Sequence, residues 1–184
     1  MILICEICGM IIDENNLLVN NESFIEKNTL EKIIHCPFCG APKEYLKKQG
    51  EHLICEDIKI EEDDKKIILK AMKLEIFNGD FYKEAALLAK DINVVKMFKA
   101  LSRVEYTHAN IHRKLVDLDI LPKLSKPDYK KYNTDVLLIE QANIRERHAV
   151  KFYEKNTKNI KSSKLNIILK ELANVEDEHV KLTL

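Results

Sequence analysis

From about residue 65 nearly to the end, apolar side chains recur every three or four positions, the period of helices that bury one face. Breaks in this pattern predict four helices. The first runs from about Lys65 to Lys90, the second to about Leu118, the third from about Asn133 to between Asn156 and Asn159, and the fourth from Ser162 or Ser163 almost to Leu184. Pro122 and Pro127 predict a longer crossover between the second and third helices. Short, long and short connections indicate a four-helix bundle with one crossover.

The first 60 residues have a different pattern, with short apolar runs between turn-forming residues. Examples are Leu17-Leu18-Val19, Ile33-Ile34 and the partly alternating stretch from Leu53 to Ile60. Such runs predict strands and turns. The acidic cluster at 61–64 marks a boundary, and Asp63 or Asp64 is expected to cap the first long helix. The chain is therefore predicted to be mainly α, with a small β-rich module at 1–60 and a helical bundle at 61–184.

The helical segment contains an internal repeat with a shift of 71 residues. Ala71-x3-Glu75-x5-Phe81-Tyr82 recurs as Ala142-x3-Glu146-x5-Phe152-Tyr153, and Leu101-x2-Val104-Glu105-x2-His108 recurs as Leu172-x2-Val175-Glu176-x2-His179. One shift relates both pairs of segments without a gap. The first helix is therefore equivalent to the third and the second to the fourth. The repeat selects six residues of metal-binding type: Glu75, Glu105, His108, Glu146, Glu176 and His179.

Helix geometry predicts that these six side chains share the bundle interior. Glu105 and His108 are three positions apart on a helix face that also carries Leu101, and the fourth helix repeats this arrangement. Four buried carboxylates without compensation are unfavourable, whereas two divalent cations neutralise them. One glutamate from each of two helices and Glu-x-x-His from each of the other two is the ligand pattern of carboxylate-bridged di-metal bundles. Oxygen and imidazole ligands suit iron or manganese, and zinc is able to compete. We therefore predict a di-metal site, with di-iron favoured.

Two tyrosines lie near the predicted ligands. Tyr82 and Tyr153 each follow a ligand glutamate by seven residues, or two helical turns. They could be core aromatic residues with a polar tip. We favour the interpretation that their hydroxyl groups donate hydrogen bonds to ligand carboxylates.

Four of the five cysteines form two Cys-x2-Cys pairs, each followed by glycine: Cys5 with Cys8, and Cys36 with Cys39. Glycine permits the positive φ that such tight turns require. Four thiolates at this spacing predict one tetrahedral metal site. Zinc and iron both accept four sulfur ligands, so a structural zinc ribbon and a redox-active iron site are both open. Cys55 has no partner and is interpreted as a small buried hydrophobic residue.

Charge and hydropathy exclude several classes of protein. Thirty basic residues balance 30 acidic residues, so the chain lacks the basic surface that nucleic acid requires. No run approaches the roughly 20 consecutive apolar residues of a membrane span, and the first residues lack the basic region of a signal peptide. A reducing compartment suits thiolate ligands. We therefore expect a cytoplasmic protein that binds neither nucleic acid nor membranes.

The segment Cys36-Pro37-Phe38-Cys39-Gly40-Ala41-Pro42-Lys43 resembles the second knuckle of rubredoxin-type domains. Joined to a bundle with the six-residue pattern, it resembles rubrerythrin, and the N-terminal position of the rubredoxin-like module is that of reverse rubrerythrins. The resemblance implies a ferritin-like bundle, and an iron tetrathiolate that passes electrons to a di-iron site where hydrogen peroxide is reduced to water. It also implies a small redox protein or an NAD(P)H-dependent reductase as electron donor. Homo-oligomers, often head-to-tail dimers, are implied as well.

The sequence departs from the family pattern at the third helix. Typical rubrerythrins carry a further ligand glutamate where this chain has Asn143. Because that carboxylate is associated with a preference for peroxide, dioxygen reduction or ferroxidase activity is a second hypothesis. A third is a non-enzymatic zinc-ribbon adaptor whose bundle binds metal only for stability. The segment 10–35 also lacks the tryptophan and aromatic set of free rubredoxins.

Four histidines lie outside the repeat: His35, His52, His112 and His148. We interpret them as structural or surface residues. His112 lies one turn past His108, where it could also support a ligand.

Overall fold

The computed structural model describes residues 2–184, which form a small antiparallel sheet followed by four long helices. The helices are α1 (Glu62–Leu88), α2 (Ile92–Leu115), α3 (Asp135–Thr157) and α4 (Ser163–Leu182). Three of them begin with a side-chain cap, because Asp91, Thr134 and Ser162 accept backbone N–H groups of the first turn. The predicted bundle with one crossover is confirmed.

The first helix begins without a side-chain cap. The cap expected at Asp63 or Asp64 is wrong, because α1 begins at Glu62 and the preceding Glu61 makes no capping hydrogen bond. Asp63 and Asp64 lie instead in the first turn, where their negative charge favours the positive end of the helix dipole.

The N-terminal module contains three short strands, β1 (Leu3–Cys5), β2 (Ile11–Ile12) and β3 (Leu46–Lys48), in the order β2-β1-β3. Leu3 of the central strand is paired with Ile12 on one side and Lys48 on the other. The β-rich module is confirmed, but the apolar runs at 17–19, 33–34 and 53–60 lie in turns and irregular segments.

Side-chain hydrogen bonds explain why two of these runs are not strands. The Asn28 amide donates to the carbonyl groups of Leu17 (3.2 Å) and His35 (3.0 Å). Its oxygen accepts the N–H of Ile34 at 2.8 Å. The backbone groups that a strand ladder would use are therefore bound to an asparagine side chain.

The crossover, residues 116–134, packs against one end of the bundle. The Tyr129 ring lies 5.4 Å from that of Phe81, and the Arg145 guanidinium lies 4.2 Å from the Phe81 ring. Lys126 forms an ion pair with Asp80 at 3.0 Å. These contacts hold α1 and α3 together beside the crossover. Within residues 2–184, no helix combines the length and the apolar character needed to cross a membrane.

The module lies against α2 and α4 of its own chain. The Tyr45 hydroxyl donates to the Glu171 carboxylate at 3.0 Å, and the Arg103 guanidinium donates to the Asn20 side chain at 2.7 Å. One cluster of buried apolar side chains includes residues of both parts. The division into 1–60 and 61–184 stays a prediction, and this shared core joins the two parts.

Candidate metal centres

The four paired cysteines are presented by two tight turns in the module. The N–H of Gly9 donates to the Cys5 carbonyl at 2.8 Å, and the N–H of Gly40 donates to the Cys36 carbonyl at 3.0 Å. Gly9 and Gly40 have φ values of 73° and 78°, which other residues rarely adopt. The glycines therefore allow each turn to direct two sulfur atoms toward one point.

The sulfur atoms have the spacing of a tetrahedral metal site. Cys5 Sγ lies 3.7 Å from Cys39 Sγ, and Cys8 Sγ lies 3.7 Å from Cys36 Sγ. Metal–sulfur bonds of about 2.3 Å at tetrahedral angles separate the sulfur atoms by about 3.8 Å. Burial raises the pKa of the Cys39 thiol well above its ordinary value, so a cation is needed to hold all four sulfurs as thiolates. The donor set fits one zinc or iron ion.

The six residues selected by the repeat meet between the four helices, and all are fully buried. Their ligand atoms form two overlapping groups, each with its atoms within 4.8 Å of one another. One group is Glu75, Glu105, His108 and Glu176, and the other is Glu105, Glu146, Glu176 and His179. Glu105 and Glu176 belong to both groups and are placed to bridge two ions. Glu75 and Glu146 each belong to one and are placed as terminal ligands.

The repeat also relates pairs of side chains in the site. His108 Nδ1 lies 2.9 Å from Glu176 Oε1, and His179 Nδ1 lies 3.4 Å from Glu105 Oε1. The shift of 71 residues converts the first pair into the second. The two halves of the site are therefore equivalent in geometry as well as in sequence.

The ionisation of the carboxyl groups indicates that the site requires cations. Burial raises the pKa of Glu75 to about 7 and raises the pKa values of Glu105 and Glu146 well above their usual range. Burial opposes ionisation of Glu176 too, but hydrogen bonds from the two histidines outweigh it and hold its pKa below the usual value. Each of these glutamates has an oxygen without a hydrogen-bond partner among residues 2–184. Two dications would neutralise the carboxylates and occupy these oxygens, so the residues fit a di-metal centre.

A single hydrogen bond connects the two candidate centres. His108 Nε2 lies 3.0 Å from the carbonyl oxygen of Cys39. Because a carbonyl can only accept, Nε2 carries a proton and Nδ1 faces Glu176 and the metal site. Burial favours the neutral ring, but Glu176 raises the pKa of His108 to about 8. A metal ion that binds Nδ1 would therefore displace a proton.

The two tyrosines lie where the sequence predicted. The Tyr82 hydroxyl donates to Glu146 and the Tyr153 hydroxyl donates to Glu75, so each joins α1 to α3. Both tyrosine side chains are fully buried. Hydrogen bonds of this kind orient a ligating carboxylate and adjust its basicity.

One contributor to the site, His112, received little weight from the sequence. It is fully buried, and its Nε2 lies 2.7 Å from the Tyr153 hydroxyl oxygen. Because that hydroxyl donates to Glu75, His112 Nε2 must carry the hydrogen of this bond. Burial lowers the pKa of His112 to about 3, which keeps the ring neutral. The four-residue spacing from His108 was the signal for this role, but the repeat places Thr183 at the equivalent position.

Asn143 lies outside the ligand cluster. Its Nδ2 donates to the Val180 carbonyl at 2.9 Å and to the Thr183 hydroxyl at 3.2 Å. Its oxygen accepts from Arg147 Nε at 2.8 Å. The amide therefore fastens α3 to the end of α4 and does not face the metal site.

The remaining cysteine and histidines lie away from both ligand sets. Cys55 was predicted to be buried, but it is partly exposed, because it follows an irregular segment beside Gly9 at the module surface. His35 is buried with its ring 4.0 Å from that of Phe24, whereas His52 and His148 are exposed. These three histidines match their interpretation as structural or surface residues.

A crossover four-helix bundle with six buried carboxylate and imidazole side chains, joined to a four-cysteine module, defines a ferritin-like protein with candidate metal centres. The rubrerythrin family model matches residues 66–183. The chain belongs to the rubrerythrin family. Searches among curated proteins and among solved structures gave no significant match. The family match covers the bundle, and the four-cysteine module precedes it.

Metal uptake by the bundle is expected to release about two or more protons per chain near pH 7. Burial holds the carboxyl groups of Glu105 and Glu146 protonated, and His108 carries a proton that a metal must displace. Affinity should therefore rise with pH between about 6 and 8, because protons compete with the metal. Calorimetric titration in buffers with different heats of ionisation measures this release. Heats that do not depend on the buffer would contradict the account.

Tyr153→Phe is expected to destabilise the protein more than Tyr82→Phe, by about 1–3 kcal/mol. Both changes remove a hydroxyl that donates to a buried glutamate. Only Tyr153→Phe also leaves His112 Nε2 without its partner. Urea unfolding of the two metal-free variants measures the difference, and equal losses would exclude a contribution from His112.

Proposed function

We propose that this protein is a non-haem di-iron oxidoreductase of the rubrerythrin type. It reduces hydrogen peroxide, with two electrons and two protons, to two molecules of water. Membership of the rubrerythrin family supports an oxidoreductase, and the buried carboxylate and imidazole set supports two iron ions. When bound, these ions would supply Lewis acidity to polarise the O–O bond and electrons to cleave it.

The observation that carries this proposal is the 3.0 Å hydrogen bond between His108 Nε2 and the Cys39 carbonyl. From Cys39 Sγ to a bundle ligand, the connection consists of the covalent bonds of one residue and one hydrogen bond. A zinc ribbon that only stabilises the fold does not require such a connection. We infer that the four cysteines hold iron and that electrons pass from the module to the bundle of the same chain. Transfer then does not require a head-to-tail dimer.

The chain itself provides protons and excludes water. The six ligands are fully buried, and so are the two tyrosines that donate to them. Each tyrosine holds a proton on its hydroxyl oxygen beside a terminal glutamate, one on each side of the site. His112 Nε2 holds a further proton next to the Tyr153 oxygen. The two protons that peroxide reduction consumes therefore have donors within the protein.

Electrons would come from a small redox protein or an NAD(P)H-dependent reductase that docks on the module. We also propose a cytoplasmic location and a homo-oligomer, a dimer or larger. Thiolate ligands in a reducing compartment support the location. Family membership supports the oligomer.

Asn143 favours a second candidate function, dioxygen reduction or ferroxidase activity. Its amide is bound to α4 and to Arg147, so the site has six ligands without a further carboxylate from α3. In the family, that carboxylate is associated with a preference for peroxide. The two functions differ in the oxidant that the reduced protein consumes.

Reoxidation of the iron-loaded, fully reduced protein separates these candidates. The reduced protein is mixed with equal concentrations of hydrogen peroxide or dioxygen while tetrathiolate absorbance is followed by stopped flow. The proposal expects peroxide to restore the absorbance at least about tenfold faster than dioxygen. Faster reoxidation by dioxygen would instead support the second candidate. With Glu176→Gln, peroxide should leave the tetrathiolate reduced, because the connected bundle site is lost.

A further inference from the structure

Asn78 of α1 is a buried polar residue that lacks a partner in the protein. Its side chain is 1% exposed. Neither Nδ2 nor Oδ1 has a hydrogen-bond partner among residues 2–184. A buried amide in this state destabilises the fold, because it gives up its hydrogen bonds to water. An amide at such a position is accounted for when a small polar ligand completes its hydrogen bonds.

The position of Asn78 directs its amide toward the di-metal site. It follows Glu75 by three residues and precedes Tyr82 by four, so all three share one face of α1. Glu75 is a ligand residue, and the Tyr82 hydroxyl reaches Glu146. At the neighbouring Gly79, a Cβ atom would lie 3.4 Å from the Cβ of Glu105. Asn78 is therefore level with the bridging carboxylates.

The facing helix leaves room beside this amide. The reciprocal tyrosine–glutamate bonds align α1 and α3 antiparallel, with the middle of one ligand segment opposite the middle of the other. Asn78 lies near the middle of the α1 segment, and its repeat counterpart Ala149 lies near the middle of the α3 segment. Ala149 is fully buried and its side chain ends at Cβ. The repeat thus has an amide on one side and a methyl group on the other.

We propose that Asn78 binds and orients hydrogen peroxide on the α1–α3 side of the site, an inference that rests on the proposed peroxide reduction. Nδ2 donates to one peroxide oxygen, and Oδ1 accepts a peroxide O–H. Hydrogen peroxide satisfies both amide atoms because it has two O–H groups and lone pairs on each oxygen. Dioxygen has no hydrogen, so it leaves Oδ1 without a partner. Asn78 therefore favours peroxide at a site where Asn143 contributes no ligand.

Asn78→Leu tests this assignment, because leucine is similar in size but has no hydrogen-bonding group. Reoxidation of the reduced, iron-loaded variant by peroxide is expected to slow about tenfold or more, the effect of losing two hydrogen bonds. Reoxidation by dioxygen should change less than about twofold, since dioxygen does not use both amide atoms. Asn156→Leu is the matched control, because its amide donates to the Phe152 carbonyl at 2.8 Å. The control should keep the wild-type ratio of the two rates.

A binding measurement without turnover complements the rates. The wild-type protein, labelled with nitrogen-15 and loaded with redox-inactive zinc, is titrated with hydrogen peroxide and followed by NMR. The side-chain amide signal of Asn78 should shift, whereas that of Asn156 should not.

Two outcomes separate this inference from the proposed function. No shift at Asn78, with Asn78→Leu slowing both oxidants equally or neither, would overturn the assignment and leave peroxide reduction standing. A shift at Asn78 in a protein that does not consume peroxide when reduced would support the peroxide-binding site and overturn the proposed function.

Discussion

Glu176→Gln is expected to abolish metal binding at both positions of the bundle, with a loss of affinity above about 100-fold. Glu176 belongs to both ligand groups and accepts a hydrogen bond from His108 at 2.9 Å. Glutamine keeps the size of the side chain but lacks the charge that two cations share. Neither ion then retains its ligand set. Metal analysis of the purified variant measures the loss.

Two variants provide matched controls for this result. Glu146→Gln alters a residue of only one ligand group, so it should retain the ion bound by the other group. Asp177→Asn alters the next residue, which pairs with Lys181 at 2.6 Å on the surface, and should bind metal like the wild type. If Glu146→Gln and Glu176→Gln lost the same amount of metal, Glu176 would not be a bridging ligand.

Gly40→Ala is expected to lower the free energy of unfolding by about 2–5 kcal/mol. Gly40 has a φ of 78°, and a Cβ there would lie 2.7 Å from Phe24 Cε1 and 2.8 Å from Val175 Cγ1. Both neighbours are buried, so they cannot move aside without disturbing α4 or the module. The clash should also weaken the adjoining contact between Cys39 and His108. Denaturant unfolding of the zinc-loaded protein measures the loss of stability.

Gly50→Ala isolates the backbone contribution to that loss. Gly50 also has a positive φ, 96°, but a Cβ there has no atom within 4 Å. Its expected cost is only about 1–2 kcal/mol from the left-handed conformation. If the two variants were equally stable, close packing of the Gly40 turn on α4 would contribute nothing, contrary to this account.

The bundle and the convergence of its ligands were predictable because they follow from helical periodicity. The first helix was expected at about 65–90 and occupies Glu62–Leu88, since its apolar stripe is long and regular. Glu105 and Glu176 stood out because charged residues on a core stripe need compensation. The exact shift between repeats then placed them at equivalent depth. No comparable pattern existed in the first 60 residues, where asparagine side chains bind the backbone.

Contacts between the module and the bundle could not be predicted from local patterns. The bond from His108 to Cys39 joins residues 69 positions apart, and no periodicity relates the two segments. Asn78 was on the expected interior stripe, but its lack of partners depends on how α1 packs against α3. Likewise, His112 became interpretable only when Tyr153 was found within 2.7 Å. Relations between segments, unlike helical faces, require the assembled fold.

Metal content measured together with the visible spectrum tests most directly the claim that one chain holds an iron tetrathiolate connected to a di-iron site. The account predicts a red protein with about three irons per chain, bleached by reductant and restored by hydrogen peroxide. Glu176→Gln should retain about one iron and the red colour, because its four cysteines are unchanged. A colourless wild-type protein that binds only zinc, even when produced with ample iron, would contradict the account.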